Sequence, residues 1–170
     1  MKQEERGSGS MVLKAMTRTL HVPTGEENVF TFPDGVPAFE EYHKFVLTFS
    51  EDVKPFFIMK SVDINPEISF VCIDPSLICP DYQIKISPAD LNALKLLQPE
   101  DAFVFSFVTV RDKPSDITAN LQGPVVLNLK DFTGRQVICD GSKYDVRFRI
   151  WDAIQQVEKT LSMEDETDGV

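Results

Sequence analysis

Along most of the chain, apolar residues come in short runs broken by Gly and Pro. Within the runs they alternate with period two, the pattern of strands packed on one face. Residues 11–22 place Val12, Lys14, Met16, Arg18 and Leu20 on one parity, with Leu13, Ala15, Thr17 and Thr19 on the other. Pro23-Thr24-Gly25 ends that strand. Strands are predicted next at 28–32, 44–49 and 55–61, with Pro33-Asp34-Gly35 a turn after the first. Residues 68–73 are nearly continuously apolar and read as a strand buried on both faces, and 82–86 alternates again. The longest strand is 103–111, where Phe103, Phe105 and Phe107 oppose Val104, Val108 and Val110, as a central strand requires. Residues 135–139 and 144–148 read as two more, joined by a hairpin-type turn at Asp140-Gly141.

Two segments depart from that period. Ser87-Pro88-Ala89-Asp90 starts a helix: Ser suits the N-cap, Pro the first turn, and Asp90 the positive end of the helix dipole. Leu91, Leu94 and Leu97 or Gln98 give its apolar stripe, and Pro99 stops it. Near the end, Ile150, Ile154, Val157 and Leu161 fall on one helical face with Trp151 beside it. That face cannot stay in water cheaply and must dock on its own domain or on a partner. Residues 150–162 are the predicted helix and the acidic stretch 163–170 is expected to fray. Residues 1–10, ending Gly7-Ser8-Gly9-Ser10, read as a flexible linker, native or appended.

Thr118-Ala119-Asn120-Leu121-Gln122-Gly123-Pro124-Val125-Val126-Leu127-Asn128 reads as a polar turn, a Gly-Pro punctuation and a short apolar strand closed by an amide. It is either a structural turn feeding a core strand or a turn offered to a partner. About nine short strands, one internal helix and a C-terminal helix make the chain mainly β, and imply a closed barrel or a sandwich. One β domain is expected over residues 11–149.

Composition sharpens this. Thirteen Phe against one Trp and three Tyr put rings without a polar handle into the core or a partner-facing patch. The formal net charge of −10 disfavours direct contact with nucleic acid and favours a basic protein partner. Cys72, Cys79 and Cys139 have no paired spacing, so reduced thiols and a cytoplasmic address are expected. No run approaches the roughly 18 apolar residues that a membrane span needs.

The search for chemistry returns little. His21 reads as a strand residue and His43 as an exposed loop residue, and neither has a nucleophile set beside it. The pairs Glu26-Glu27, Glu40-Glu41, Glu51-Asp52 and Glu100-Asp101 lie in polar turns without the apolar pocket a catalytic acid needs. Phosphate-cradling Gly-rich loops and metal-ligand spacings are absent. No catalytic, cofactor or metal residue is therefore assigned, and a binding module fits better than an enzyme. A small-molecule-binding barrel is the alternative, set against strands whose Phe residues would fill the interior.

Several motifs, in order, resemble the flagellar assembly factor family, FliW. They are Phe32-Pro33-Asp34-Gly35-Val36-Pro37-Ala38-Phe39; Phe57-Ile58-Met59-Lys60-Ser61 with Phe70 and Asp74-Pro75; Pro80-Asp81-Tyr82; Val108-Thr109-Val110; the run from 118 to 128; and Gly134-Arg135-Gln136-Val137-Ile138 with Tyr144. The resemblance covers residues 16–149. It departs at Ala38, where the family has Gly, at Arg147-Phe148-Arg149, where many members carry a His, and beyond residue 150. It implies a small antiparallel β-barrel-like fold in a cytoplasmic, non-enzymatic, monomeric protein. It also implies binding to flagellin and antagonism of the RNA-binding translational regulator CsrA, with no cofactor and no membrane. On that resemblance and on turn polarity, Asp74, Pro75, Asp81, Tyr82, Thr118, Asn120 and Leu121 are the expected partner-binding residues.

Overall fold

The computed structural model describes residues 9–15, 22–139 and 141–168. Among these are eleven strands: β1 (Met11–Lys14), β2 (Phe30–Thr31), β3 (Lys44–Thr48), β4 (Phe56–Ser61), β5 (Ser69–Ile73), β6 (Gln83–Ile86), β7 (Ala102–Thr109), β8 (Thr118–Ala119), β9 (Val125–Asn128), β10 (Thr133–Gln136) and β11 (Phe148–Arg149). Two α-helices accompany them, α1 (Pro88–Leu94) and α2 (Trp151–Asp168).

Seven strands close a ring in the order β7-β5-β4-β3-β2-β10-β9, and β9 pairs back onto β7. Closure removes the open edges that a sheet of this size would carry. Every pairing in the ring is antiparallel except β2 with β10, where Thr31 lies opposite Thr133 in parallel. The all-antiparallel expectation fails there because strands from opposite ends of the chain meet without a hairpin to set their direction. β8 and β11 extend the sheet beyond β7, and β1 and β6 form a separate two-stranded ribbon.

Alternation along the ring strands builds two cores. Phe103 and Phe105 of β7, Cys72 of β5, and Val125 and Leu127 of β9 turn inward, onto Phe30, Phe32, Phe45 and Phe57. The Phe57 and Phe105 rings meet edge to face at 5.2 Å. The barrel is thus filled by side chains, as the Phe count predicted. The opposite parity, Val104, Val108, Ile73 and Val126, faces outward into a second core. That core is covered by Leu13, Ile84 and Ile86 of the ribbon, by Leu94 of α1, by Ile150 just before α2 and by Ile154 within it.

Local chemistry explains most element ends. The Ser87 hydroxyl accepts from the Asp90 amide and caps α1. The helix stops at Leu94, before the expected Pro99, because Lys95 takes the left-handed conformation (φ 55°) and the Leu96 amide closes onto the Leu91 carbonyl at 3.0 Å. Leu96 then takes the buried position expected of Leu97, which is 89% exposed. Gly134 is obligatory: a Cβ there would lie 2.4 Å from the Phe32 ring. Gly35 is obligatory for the same kind of reason, its would-be Cβ falling 2.6 Å from the Glu40 carbonyl oxygen at φ +68°.

Other expectations are corrected. The strand from 11 to 22 is ordered as β1 only to Lys14, and 16–21, with His21, lie outside the described residues. Residues 68–73 are buried on both faces only at Cys72 and Ile73, because Ser69 lies at an exposed edge of the barrel. No strand covers 144–147; Phe148 and Arg149 instead pair with β8, so no hairpin follows Gly141. His43 is half-buried rather than exposed, its ring Nδ1 2.9 Å from the Phe32 carbonyl and its amide donating to Asp63. Helix α2 runs through Asp168, past the expected end at 162, since no Gly or Pro interrupts the sequence before Gly169.

Candidate functional site

The segments expected to face a partner do come together. Asp74 is buried and caps the 3₁₀ turn Pro75–Leu77, its Oδ1 accepting from the Ser76 amide at 2.9 Å and the Ser76 hydroxyl at 2.7 Å. Its Oδ2 is buried without a hydrogen bond among the described residues. Beyond this turn the chain delivers Tyr82, whose hydroxyl donates to the Leu121 carbonyl at 2.6 Å. The Tyr82 ring lies 4.5 Å from that of Tyr144, and the Leu121 amide donates to the Asp145 carbonyl at 2.9 Å. Loop 74–82, turn 118–121 and residues 144–145 therefore form one bonded unit. Burial pushes the Tyr82 hydroxyl pKa well above its ordinary value.

The same geometry limits what the unit can show a partner. Asp74, Pro75, Tyr82 and Leu121 are buried, Thr118 and Asn120 are half-buried, and Asp81 is exposed. The Asn120 side-chain oxygen accepts from the Gly123 amide at 2.8 Å, closing the turn before β9. At the far end of that strand, Asn128 donates to the carbonyls of Leu94 and Lys95 and accepts from the amides of Lys130 and Asp131. Both amides thus hold the fold in place, which is the structural reading of that motif.

Beside this unit lies an open slot of about 1100 Å³. One wall is β6 with its approach, from Asp81 through Lys85; the other is Ile138, Cys139 and Gly141 to Tyr144. The walls are tied at both ends. The Gln83 amide donates to the Tyr144 hydroxyl at 3.1 Å, and beyond β6 the Arg135 Nε donates to Asp90 of α1 at 2.8 Å. Arg135 also pairs with Asp34. Lys14, Lys85 and Lys143 line the slot. The nearby Cys79 thiol has its pKa raised by desolvation, which outweighs the opposing pull of Lys143. The sequence reading missed Lys14, Lys85 and Ile138 as site residues. Their signal was the outward parity of two alternating strands, which marks an exposed face but not what lies opposite it.

Among the described residues, no group of three or more His, Cys, Asp and Glu could hold a metal ion. No disulfide links the three cysteines. No helix among the described residues is long and apolar enough to cross a membrane.

A family model described as FliW protein matches residues 14–150. The chain is 37% identical over 139 residues to the flagellar assembly factor FliW of Treponema pallidum (strain Nichols), covering 81% of this chain and 91% of that protein. The protein of the same name from Caldanaerobacter subterraneus subsp. tengcongensis is 35% identical over 131 residues, covering 76% of this chain and 87% of its own length. A crystal structure of the flagellar assembly factor FliW superposes with a TM-score of 0.68 at 33% identity, over 76% of this chain and 90% of that one. The family match, the sequence identity and the overall fold agree: this chain belongs to the FliW family.

Proposed function

We propose that this protein is a non-enzymatic, cytoplasmic flagellar assembly factor that binds flagellin and antagonises CsrA, so that flagellin synthesis follows flagellin export. The observation that carries this reading is membership of a family whose named relatives are flagellar assembly factors. In it, free protein holds CsrA away from flagellin mRNA, and unexported flagellin competes for the same protein. The net charge of −10 supports a basic protein partner over direct contact with nucleic acid or an anionic membrane. The filled barrel supports a protein-binding role over that of a small-molecule carrier, since Phe30, Phe32, Phe45, Phe57, Phe103 and Phe105 occupy the interior. The working form is a monomer that needs no cofactor.

The test uses the purified full chain with purified flagellin and purified CsrA. Each is expected to bind, and added flagellin is expected to displace CsrA. Absence of binding to both overturns the reading; binding to flagellin alone removes the CsrA half of it.

A further inference from the structure

Among the described residues, strand β6 has a strand neighbour on one side only. The Ala15 amide donates to the Tyr82 carbonyl at 3.3 Å. An antiparallel ladder alternates bonded and non-bonded pairs, so in the β1–β6 register Leu13–Ile84 and Met11–Ile86 are the other bonded pairs. Lys85 and Gln83 therefore turn their backbone N–H and C=O groups away from β1. Tyr144 takes the Gln83 N–H, which leaves the Gln83 carbonyl and both groups of Lys85 along that edge. The same counting applies to the facing wall. The Val137 and Cys139 amides donate to the carbonyls of Pro124 and Gln122, both at 2.9 Å. Ile138 between them turns its N–H and C=O the other way. Lys85 and Ile138 both line the slot, so it is bordered by the edge of β6 and by the backbone that carries the β9–β10 bonding past Gln136, each a template for another strand.

The side chains say which strand would fit. Val12 is 52% exposed and Ile138 59% exposed, an apolar footing within the slot. Lys14, Lys85 and Lys143 stand around it, and Asp81 is the sole acid among the described lining residues. No described carboxylate lies within ion-pair distance of these three lysines. Among the described residues this is a local reversal of sign on a chain of net charge −10. A segment entering the slot meets cations at close range, where burial weakens screening by salt.

We propose that the slot is a strand-addition site for an extended, acidic peptide segment of a partner protein. The segment's backbone pairs with Lys85 and Ile138, its carboxylates lie over Lys14, Lys85 and Lys143, and its alternate apolar residues rest on Val12 and Ile138. This site requires neither flagellin nor CsrA and stands apart from the function proposed above.

The experiment titrates the isotope-labelled full chain with three short peptides, following backbone amides by NMR. One alternates glutamate with valine, the second has lysine for glutamate, and the third is the first with alternate amides N-methylated. The acidic peptide is expected to shift the amides of Lys85 and Ile138 and to bind at least roughly tenfold more tightly than the lysine peptide. N-methylation of the edge-facing amides is expected to abolish binding. The paired substitution Lys85→Glu and Lys143→Glu, at two exposed positions, is expected to reverse the preference. The proposal is overturned if the acidic peptide moves neither amide, if the lysine peptide binds equally well, or if the N-methylated peptide binds undiminished.

Discussion

The Tyr82 hydroxyl donates to the Leu121 carbonyl across 2.6 Å inside the core, joining two segments 39 positions apart. Removing the hydroxyl leaves a buried carbonyl with one partner fewer and no water in exchange. Tyr82→Phe is therefore expected to cost about 1–3 kcal/mol, read as a lower urea midpoint at unchanged slope. Because the hydroxyl is buried, affinity for flagellin under native conditions is expected to stay the same. A stable variant with lost affinity would instead make Tyr82 a contact residue.

Asn120 is the residue on which the two readings of its motif separate. Its oxygen closes the turn onto Gly123, yet the side chain is half-buried and reachable. Asn120→Ala is expected to lower stability by about 0.5–1.5 kcal/mol, the net worth of one such bond. If the turn also touches a partner, affinity falls beyond what that loss explains, and titration calorimetry on the folded variant measures the difference.

Ala38 carries a Cβ at φ 75°, a backbone region in which the family resemblance expects Gly. The residue is exposed, so little packing offsets the strain. Ala38→Gly is expected to stabilise by about 0.5–1 kcal/mol, relief of the left-handed strain exceeding the added freedom of the unfolded chain. Chemical denaturation checks the sign.

Helix α2 is anchored where it begins. Ile150 and Ile154 are 0% and 4% exposed and belong to the outer core, whereas Gln155, Gln156, Glu158, Lys159 and Thr160 are exposed. A chain cut before Ile150 is expected to lose about 1.5–3 kcal/mol for each of these side chains and to melt early. One cut after Ile154 keeps both side chains and is expected to melt at a higher temperature than the shorter product. If α2 partly covers a surface that flagellin uses, the longer truncation product binds flagellin more tightly; weaker binding would place the helix in the interface.

Association with CsrA is expected to slow as salt rises. A surface of net charge −10 steers a basic partner over distances that salt shortens to about 8–10 Å at physiological strength. Stopped-flow rates at two ionic strengths decide this, and indifference to salt would exclude steering.

Much of the fold was legible because one parity decided it. Phe103 and Phe105 against Val104 and Val108 announced a strand with a core on each side, and the structure has both. The Ser87 cap was equally plain, since its chemistry is local. Lys95 hid the end of α1: nothing in a lysine signals a left-handed conformation, and the closing bond needs Leu96 to be buried by tertiary contacts. Tyr144 read as a strand residue because alternation cannot show that its ring is held by Tyr82, which lies far away in the chain. The slot was illegible for the same reason. Lys85 and Ile138 line one slot although they lie far apart in the chain, and the bonds beside it, Gln83 to Tyr144 and Arg135 to Asp90, also join distant segments.

Closure of the ring has a consequence for how the protein is made. β2 meets β10 at Thr31 and Thr133, and β7 meets β9 along Ala102 to Phe105. On the ribosome, the meander from β2 to β5 emerges long before β9 and β10 exist. Until they do, even with β7 added beside β5, its Phe-bearing face has no opposite wall, and the edges at β2 and at Ala102 to Phe105 stand open. Such non-local closure is slow and exposes the chain to aggregation in the meantime. A nascent chain arrested before residue 125 is therefore not a smaller version of the domain but a sticky sheet, and release of the residues from 125 onward is the step that turns it into a barrel.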